Sequence, residues 1–159
     1  MTTAHGENDE TRKPKNKAPL ITAVQITDTM KLTITWNSGE TFDLDLAETI
    51  KLSAAFKPLT DPALFGQVVI EEWGHGLDWP EGLDMGADRL YQLCREQAGL
   101  FSPSAFDGWI KKNQLSLTTA ADALGMTRRM IAHYRSGSRP IPKTVQLACI
   151  GWETLKKAA

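Results

Sequence analysis

From Leu20 to Leu46 apolar and polar residues alternate with a period of two. Val24 and Ile26, then Leu32, Ile34 and Trp36, then Phe42, Leu44 and Leu46 fall on matching sides of three short runs. Successive side chains of an extended chain point to opposite faces, so the pattern predicts a three-stranded antiparallel meander with one apolar face. Asn37-Ser38-Gly39 supplies the turn chemistry between the last two runs. Beyond it the pattern predicts a short helix over 47–52, a break from Pro58 to Pro62 and a turn of helix over 63–65. A fourth strand is expected at 68–70 and a short fifth at 77–79. Residues 84–86 lead into a helix from Ala87 to about Gln97 that buries Leu90, Leu93 and Cys94 at helical spacing. Trp36, Trp73 and Trp79 read as core or packing residues.

After residue 97 the period changes to that of a helix. Glycine ends the connecting helix in the boundary segment 97–102, and Ser102 caps a new helix with Pro103 at its first position. Phe106, Trp109 and Ile110 recur at i, i+3 and i+4, so a helix over 104–113 turns an apolar stripe inward. Ser116 is a candidate N-cap for the Ala/Leu-rich run that stops at Gly125, with Thr119 and Asp122 an alternative capping pair. Thr127 can cap a second helix that lasts to Ser136 and stops at Gly137, since glycine readily takes the left-handed turn that ends a helix. After Arg139-Pro140-Ile141-Pro142 a last helix is expected, its inner face lined by Val145, Ala148, Cys149, Trp152 and Leu155. The fold class predicted is α+β: a small β-meander with a helix, followed by an all-α four-helix unit.

Helix, glycine turn, helix is the layout in which a second helix can enter the DNA major groove. Ala121, four residues before Gly125, leaves room for the two helices to cross. At 100° per residue Met130, Ile131 and Tyr134 share one side of the second helix, and Arg128, Arg129, Ala132 and Ser136 the other. Arginine can fork onto guanine O6 and N7, and a small residue lets the helix sit close. The plain alternative is an αα-hairpin with solvated arginines.

Residues 115–150 resemble the Xre/Cro, lambda-repressor-like type of bacterial helix-turn-helix. The resemblance is carried by Leu115-Ser116, Ala121, Leu124-Gly125, Thr127, Ile131, Tyr134, Gly137 and Arg139-Pro140. It implies a sequence-specific partner, double-stranded DNA, read by Arg128 and Arg129, with Ala132 and His133 beside them. Thr127, Arg135, Ser138, Arg139 and Lys143 are then expected at the phosphates. The family often has Gln where this chain has Leu117, and an acidic residue where it has Arg135, which strengthens the positive field. Residues 20–93 resemble the bacterial domain of unknown function numbered 2442, through the meander and its Trp36–Glu40 turn, Pro58-Leu59, Phe65, the run Trp79-Pro80-Glu81-Gly82-Leu83-Asp84 and Leu90-Tyr91. In that family the domain often stands beside small toxin-like partners, and in a minority of members it precedes a helix-turn-helix.

The charge is divided between the same two regions. Residues 100–159 hold nine Lys or Arg against three Asp or Glu, whereas residues 19–99 hold five against thirteen. One half attracts polyanions and the other repels them. Residues 1–18 are polar and aperiodic, with Arg12-Lys13-Pro14-Lys15-Asn16-Lys17 after an acidic start, and are expected to be a solvated, disordered tail. The chain is thus divided as tail 1–18, acidic β-rich domain 19–99 and basic helical domain 100–159.

What remains is mostly exclusion. Cys94 and Cys149 lie in separate candidate helices without Cys or His neighbours at ligand spacing, and read as reduced buried thiols with no metal or cofactor. His75, Asp43, Asp45, Asp78, Asp84 and Asp88 have no recognised ligand spacing, and no nucleophile or P-loop signature occurs, so no catalysis is expected. No run is long enough for a membrane span. The reading is a cytoplasmic bacterial transcriptional regulator that binds DNA as a homodimer, with dimerisation expected through residues 20–99. The alternative is an antitoxin-like or adaptor protein whose N-terminal domain binds a small protein partner.

Overall fold

The computed structural model describes residues 18–158, so the tail expected over 1–18 lies outside the described residues apart from Ala18. It divides into two compact units, Ala18–Leu100 and the chain from Phe101 onward. The fold is α+β.

In the first unit the alternating runs become β1 (Ile21–Asp28), β2 (Lys31–Trp36) and β3 (Thr41–Asp45), an antiparallel sheet in the order β1-β2-β3. The register pairs Val24 with Ile34 and Ile34 with Phe42, which keeps the apolar positions on one face. Helix α1 (Ala47–Leu52), a 3-10 turn (Ala54–Thr60) and the short α2 (Pro62–Phe65) follow. A second small sheet is built from β4 (Val69–Ile70), β5 (Gly76–Trp79) and β6 (Leu83–Gly86). The segment 84–86, expected only as a lead-in, is therefore part of a sixth strand paired with β5 through Leu77 and Met85. Helix α3 (Ala87–Gln97) closes the unit, and Leu90, Leu93 and Cys94 are buried beneath it.

That core also holds Trp36 and Trp79, and the Trp79 indole N–H donates to the Phe65 carbonyl at 2.9 Å. Trp73 does not join them. It is 69% exposed, because it stands in a turn organised by Glu71, whose carboxylate accepts from the Trp73 and His75 backbone N–H groups. The β3 edge is covered by Gln97, whose amide donates to the Asp45 carbonyl at 2.7 Å and accepts from the Asp45 N–H at 2.9 Å.

The second unit consists of α4 (Pro103–Lys112), α5 (Leu117–Leu124), α6 (Arg128–Ser136) and α7 (Lys143–Ala158). Each of the first three starts on a hydroxyl cap: Ser102 accepts from Ala105 N–H, Ser116 from Thr119 N–H and Thr127 from Met130 N–H. At Ser116 the cap is reciprocal, because the Thr119 hydroxyl takes the Ser116 N–H at 2.7 Å. The pair is thus Ser116 with Thr119, and Asp122 stays exposed.

Phe106, Trp109, Ile110, Ala120, Ala121, Ile131, Tyr134, Ile141, Val145 and Cys149 form the core of this unit. On α7 the expected inner face is narrower than its periodicity implied. Val145 and Cys149 are buried and Trp152 is partly so, but Ala148 is exposed and Leu155 is 73% exposed.

Candidate nucleic-acid interface

Two glycines set the helix pair α5–α6. Gly125 ends α5 at φ +67° and its N–H reaches back to the Ala121 and Asp122 carbonyls. Gly137 ends α6 at φ +81°, and a Cβ there would also meet the Pro103 ring at 3.3 Å. Another residue at 137 would be strained in its backbone and crowded at once. Ala120 and Ala121 are both buried, so α5 has small side chains at two successive core positions.

The two sides of α6 differ sharply. Ile131 and Tyr134 are buried, with Tyr134 edge-on to Phe106 at 5.9 Å between ring centroids. Burial pushes the Tyr134 phenol up from its ordinary pKa, against the opposing pull of the Arg139 charge. Arg128, Arg129, Ala132 and Ser136 lie exposed on the opposite side. Among the described residues neither Arg128 nor Arg129 forms an ion pair, so both guanidiniums stand ready for an outside acceptor. His133 sits at the edge of this face, half-buried, and its carbonyl receives Ser136 Oγ and the Gly137 and Ser138 N–H groups.

The residues expected at phosphates are less uniform. Lys143 is exposed at the start of α7. Thr127 is exposed but spends its hydroxyl on the α6 cap. Ser138 is half-buried, with its hydroxyl 2.6 Å from that of Ser136. Arg139 is half-buried: one terminal nitrogen lies 3.9 Å from the Met130 sulfur, and its Nε is enclosed without a hydrogen-bond partner. Arg135 is held from within, its Nε donating to Asp107 Oδ1 at 2.9 Å.

Asp107 is the residue that the pattern of the chain did not single out. It pairs with Lys111 one helical turn on, at 2.8 Å, and with Arg135 across to α6. The hydrogen bond from Lys111, and then that from Arg135, holds its carboxyl below the usual range. The i, i+4 pair with Lys111 is readable from spacing. The link to Arg135, 28 residues away, is not.

The other chemistry of the chain is quiet. Cys94 and Cys149 are free and buried, and burial pushes their thiols up to about 11 and about 12, which leaves them protonated and unreactive. Among the described residues His, Cys, Asp and Glu do not gather in threes able to hold a metal ion, and no helix is long and apolar enough to cross a membrane. The first unit carries an open groove of about 620 Å³ whose lining includes Asp45, Glu48, Asp84 and Glu96 beside Leu52 and Phe56.

Residues 21–96 match a family described as a protein of unknown function, DUF2442. A crystal structure of a "Putative DNA Binding Protein" from Nitrosomonas europaea is 38% identical, over 89% of this chain and 90% of that one, with a TM-score of 0.59. The chain is thus related to that protein over nearly its whole length, and its segment 21–96 is the part that matches DUF2442. Among curated proteins none matches it. The DUF2442 match stops before Phe101, so the helices that carry Arg128 and Arg129 lie outside the matched segment.

Proposed function

We propose that this protein is a sequence-specific binder of double-stranded DNA: a cytoplasmic, non-enzymatic transcriptional regulator with an Xre/Cro-type helix-turn-helix formed by α5 and α6. The observation that carries the reading is the outer face of α6. Two unpaired arginines in its first turn flank a small residue, on a helix whose other side is locked into a core. Such a face can enter the major groove, with Arg128 and Arg129 on base edges, Ala132 giving close approach and His133 at the margin. Lys143, Arg135 and Arg139, with Thr127 and Ser138, form the phosphate-side group. The name of the Nitrosomonas europaea relative points the same way.

The test is selection of bound sequences from a random duplex pool, followed by binding curves on the selected and a scrambled duplex at two salt concentrations. A recovered consensus, tighter binding to it and a negative salt slope are expected. Equal affinity for both duplexes would reduce the protein to a non-specific binder.

A second reading is favoured by the groove on the first unit. Asp45, Glu48, Asp84 and Glu96, against Arg89 alone, surround exposed Leu52 and half-buried Phe56 and suit a basic protein partner, as an antitoxin-like or adaptor role requires. Co-purification of a basic partner that is lost on Glu48→Lys and Asp84→Lys would support it.

A further inference from the structure

Helix α7 buries Val145 and Cys149 but leaves three large apolar residues outside. Leu147, Ile150 and Leu155 are 55%, 51% and 73% exposed, half of the exposed large hydrophobic residues among those described. Two of the helix's four charges are occupied elsewhere. Glu153 takes the Asn113 amide at 3.0 Å and Lys112 at 3.6 Å, and Lys156 lies over the Trp152 ring at 5.0 Å. Thr144, Leu147, Ala148, Gly151, Thr154, Leu155 and Ala158 fall within about 60° of Gly151 on the helix surface. No Lys, Arg, Asp or Glu shares that strip.

The strip has a symmetry of its own. Gly151 stands at the midpoint of the 16-residue helix, and a Cβ there would meet nothing within 4 Å. Counting outward from it, small residues stand three away on either side (Ala148, Thr154), leucines four away (Leu147, Leu155) and small residues seven away (Thr144, Ala158). A surface that reads the same in both directions about its centre is self-complementary under a two-fold axis, which is the condition for an isologous contact. Packed antiparallel to itself across Gly151, the helix would set Leu147 of one copy beside Leu155 of the other, over facing glycines that permit close approach. An unrelated partner would have no reason to match this spacing.

We infer that the outer face of α7 is a homodimer interface, formed by two copies of this chain packed antiparallel about Gly151. A helix of 16 residues is about 24 Å long and offers a strip roughly 10 Å wide. That footprint falls well below the roughly 800 Å² per partner of a standard interface. The pair therefore associates weakly in free solution, and tightens when two copies are held side by side on one duplex, where their effective concentration reaches the millimolar range.

The experiment uses the full chain without DNA, so its failure leaves the DNA reading standing, and a failure of DNA binding leaves the dimer standing. Sedimentation from about 10 µM to about 1 mM should show reversible dimerisation of the wild type. Leu147→Lys and Leu155→Glu should each abolish it, with circular dichroism unchanged because both sites are exposed. The double variant should restore it, since the antiparallel register sets the new ammonium at position 147 of one copy beside the new carboxylate at position 155 of the other. Gly151→Cys should yield a disulfide-linked dimer on mild oxidation, and Lys157→Cys should not. A wild type that stays monomeric to 1 mM overturns the proposal. So does a dimer that survives both single changes, which would place the contact on another surface such as the first sheet. Single variants that break the dimer without rescue by the double overturn the antiparallel register.

Discussion

The two units of this chain bury their interiors in the same way and present opposite surfaces. In the first, Leu32, Ile34, Trp36 and Leu90 are fully enclosed or nearly so; in the second, Phe106, Ile131 and Cys149 are. Burial of this kind stabilises a fold and carries little information about function. The surfaces do carry it. Residues 19–99 hold thirteen acidic against five basic side chains, and residues 100–159 three against nine. The lesson is that function is better sought where two well-packed units differ than where they agree, and the sharpest way to test that is to damage one unit at a time.

The largest effect comes from the cores. Phe106 is fully buried, stacked on Trp109 at 6.1 Å and edge-on to Tyr134 at 5.9 Å. Phe106→Ala should cost about 3–5 kcal/mol through lost burial and the cavity left behind. The damage should be confined to the second unit. Thermal unfolding followed by amide-resolved NMR should show the resonances of the second unit lost first and those of the β-sheet of the first unit later. Simultaneous loss of both signals would mean that the units unfold as one.

Smaller, and specific to the surface, is the loss expected at α6. Arg128→Ala or Arg129→Ala should weaken the preferred duplex by about 1–3 kcal/mol and relax the sequence preference. Lys143→Ala should weaken preferred and scrambled duplexes alike and lower the salt slope by about one. Stability should hold in all three, because each side chain is exposed. Binding curves at two salt concentrations separate the groups. Equal losses on both duplexes for Arg128 and Arg129 would assign them to phosphate.

Most of this division is written plainly in the chain, and its gaps have physical causes. Alternation from Val24 to Leu46 marks β1 to β3 because one face is buried throughout. The caps Ser102, Ser116 and Thr127 and the turns at Gly125 and Gly137 mark the helices because each needs one residue type at one place. Strand β6 is not legible in the chain because the link from β5 places Glu81 at φ +69°, which no local pattern announces. Trp73 shows that size and hydrophobicity do not bury a residue when a turn holds it outward. Leu155 shows that helical spacing alone does not bury a residue. At the candidate interface the exposed arginines of α6 were legible from the wheel. The restraint on Arg135 was not, because it depends on how α4 and α6 meet.

The smallest effect tests that restraint, and it works in two directions. Asp107 is held below the usual aspartate range chiefly by Lys111 and then by Arg135. A carboxyl whose pKa is lower in the folded than in the unfolded chain stabilises the fold above its unfolded value, about 3.9, and loses that contribution as pH falls through the folded value. Acidification from pH 5 toward pH 2 should therefore destabilise the second unit, and Asp107→Asn should flatten part of that slope. On DNA the same change should act oppositely. It removes a negative charge beside the phosphate-side group and releases the Arg135 guanidinium, now 2.9 Å from the carboxylate, to meet a phosphate. The variant should bind scrambled duplex roughly two- to threefold more tightly, with a salt slope steeper by no more than about one and an unaltered consensus. Tighter binding that leaves the salt slope unchanged would mean that Arg135 does not reach DNA when freed. Asp107 would then serve only to hold α4 against α6.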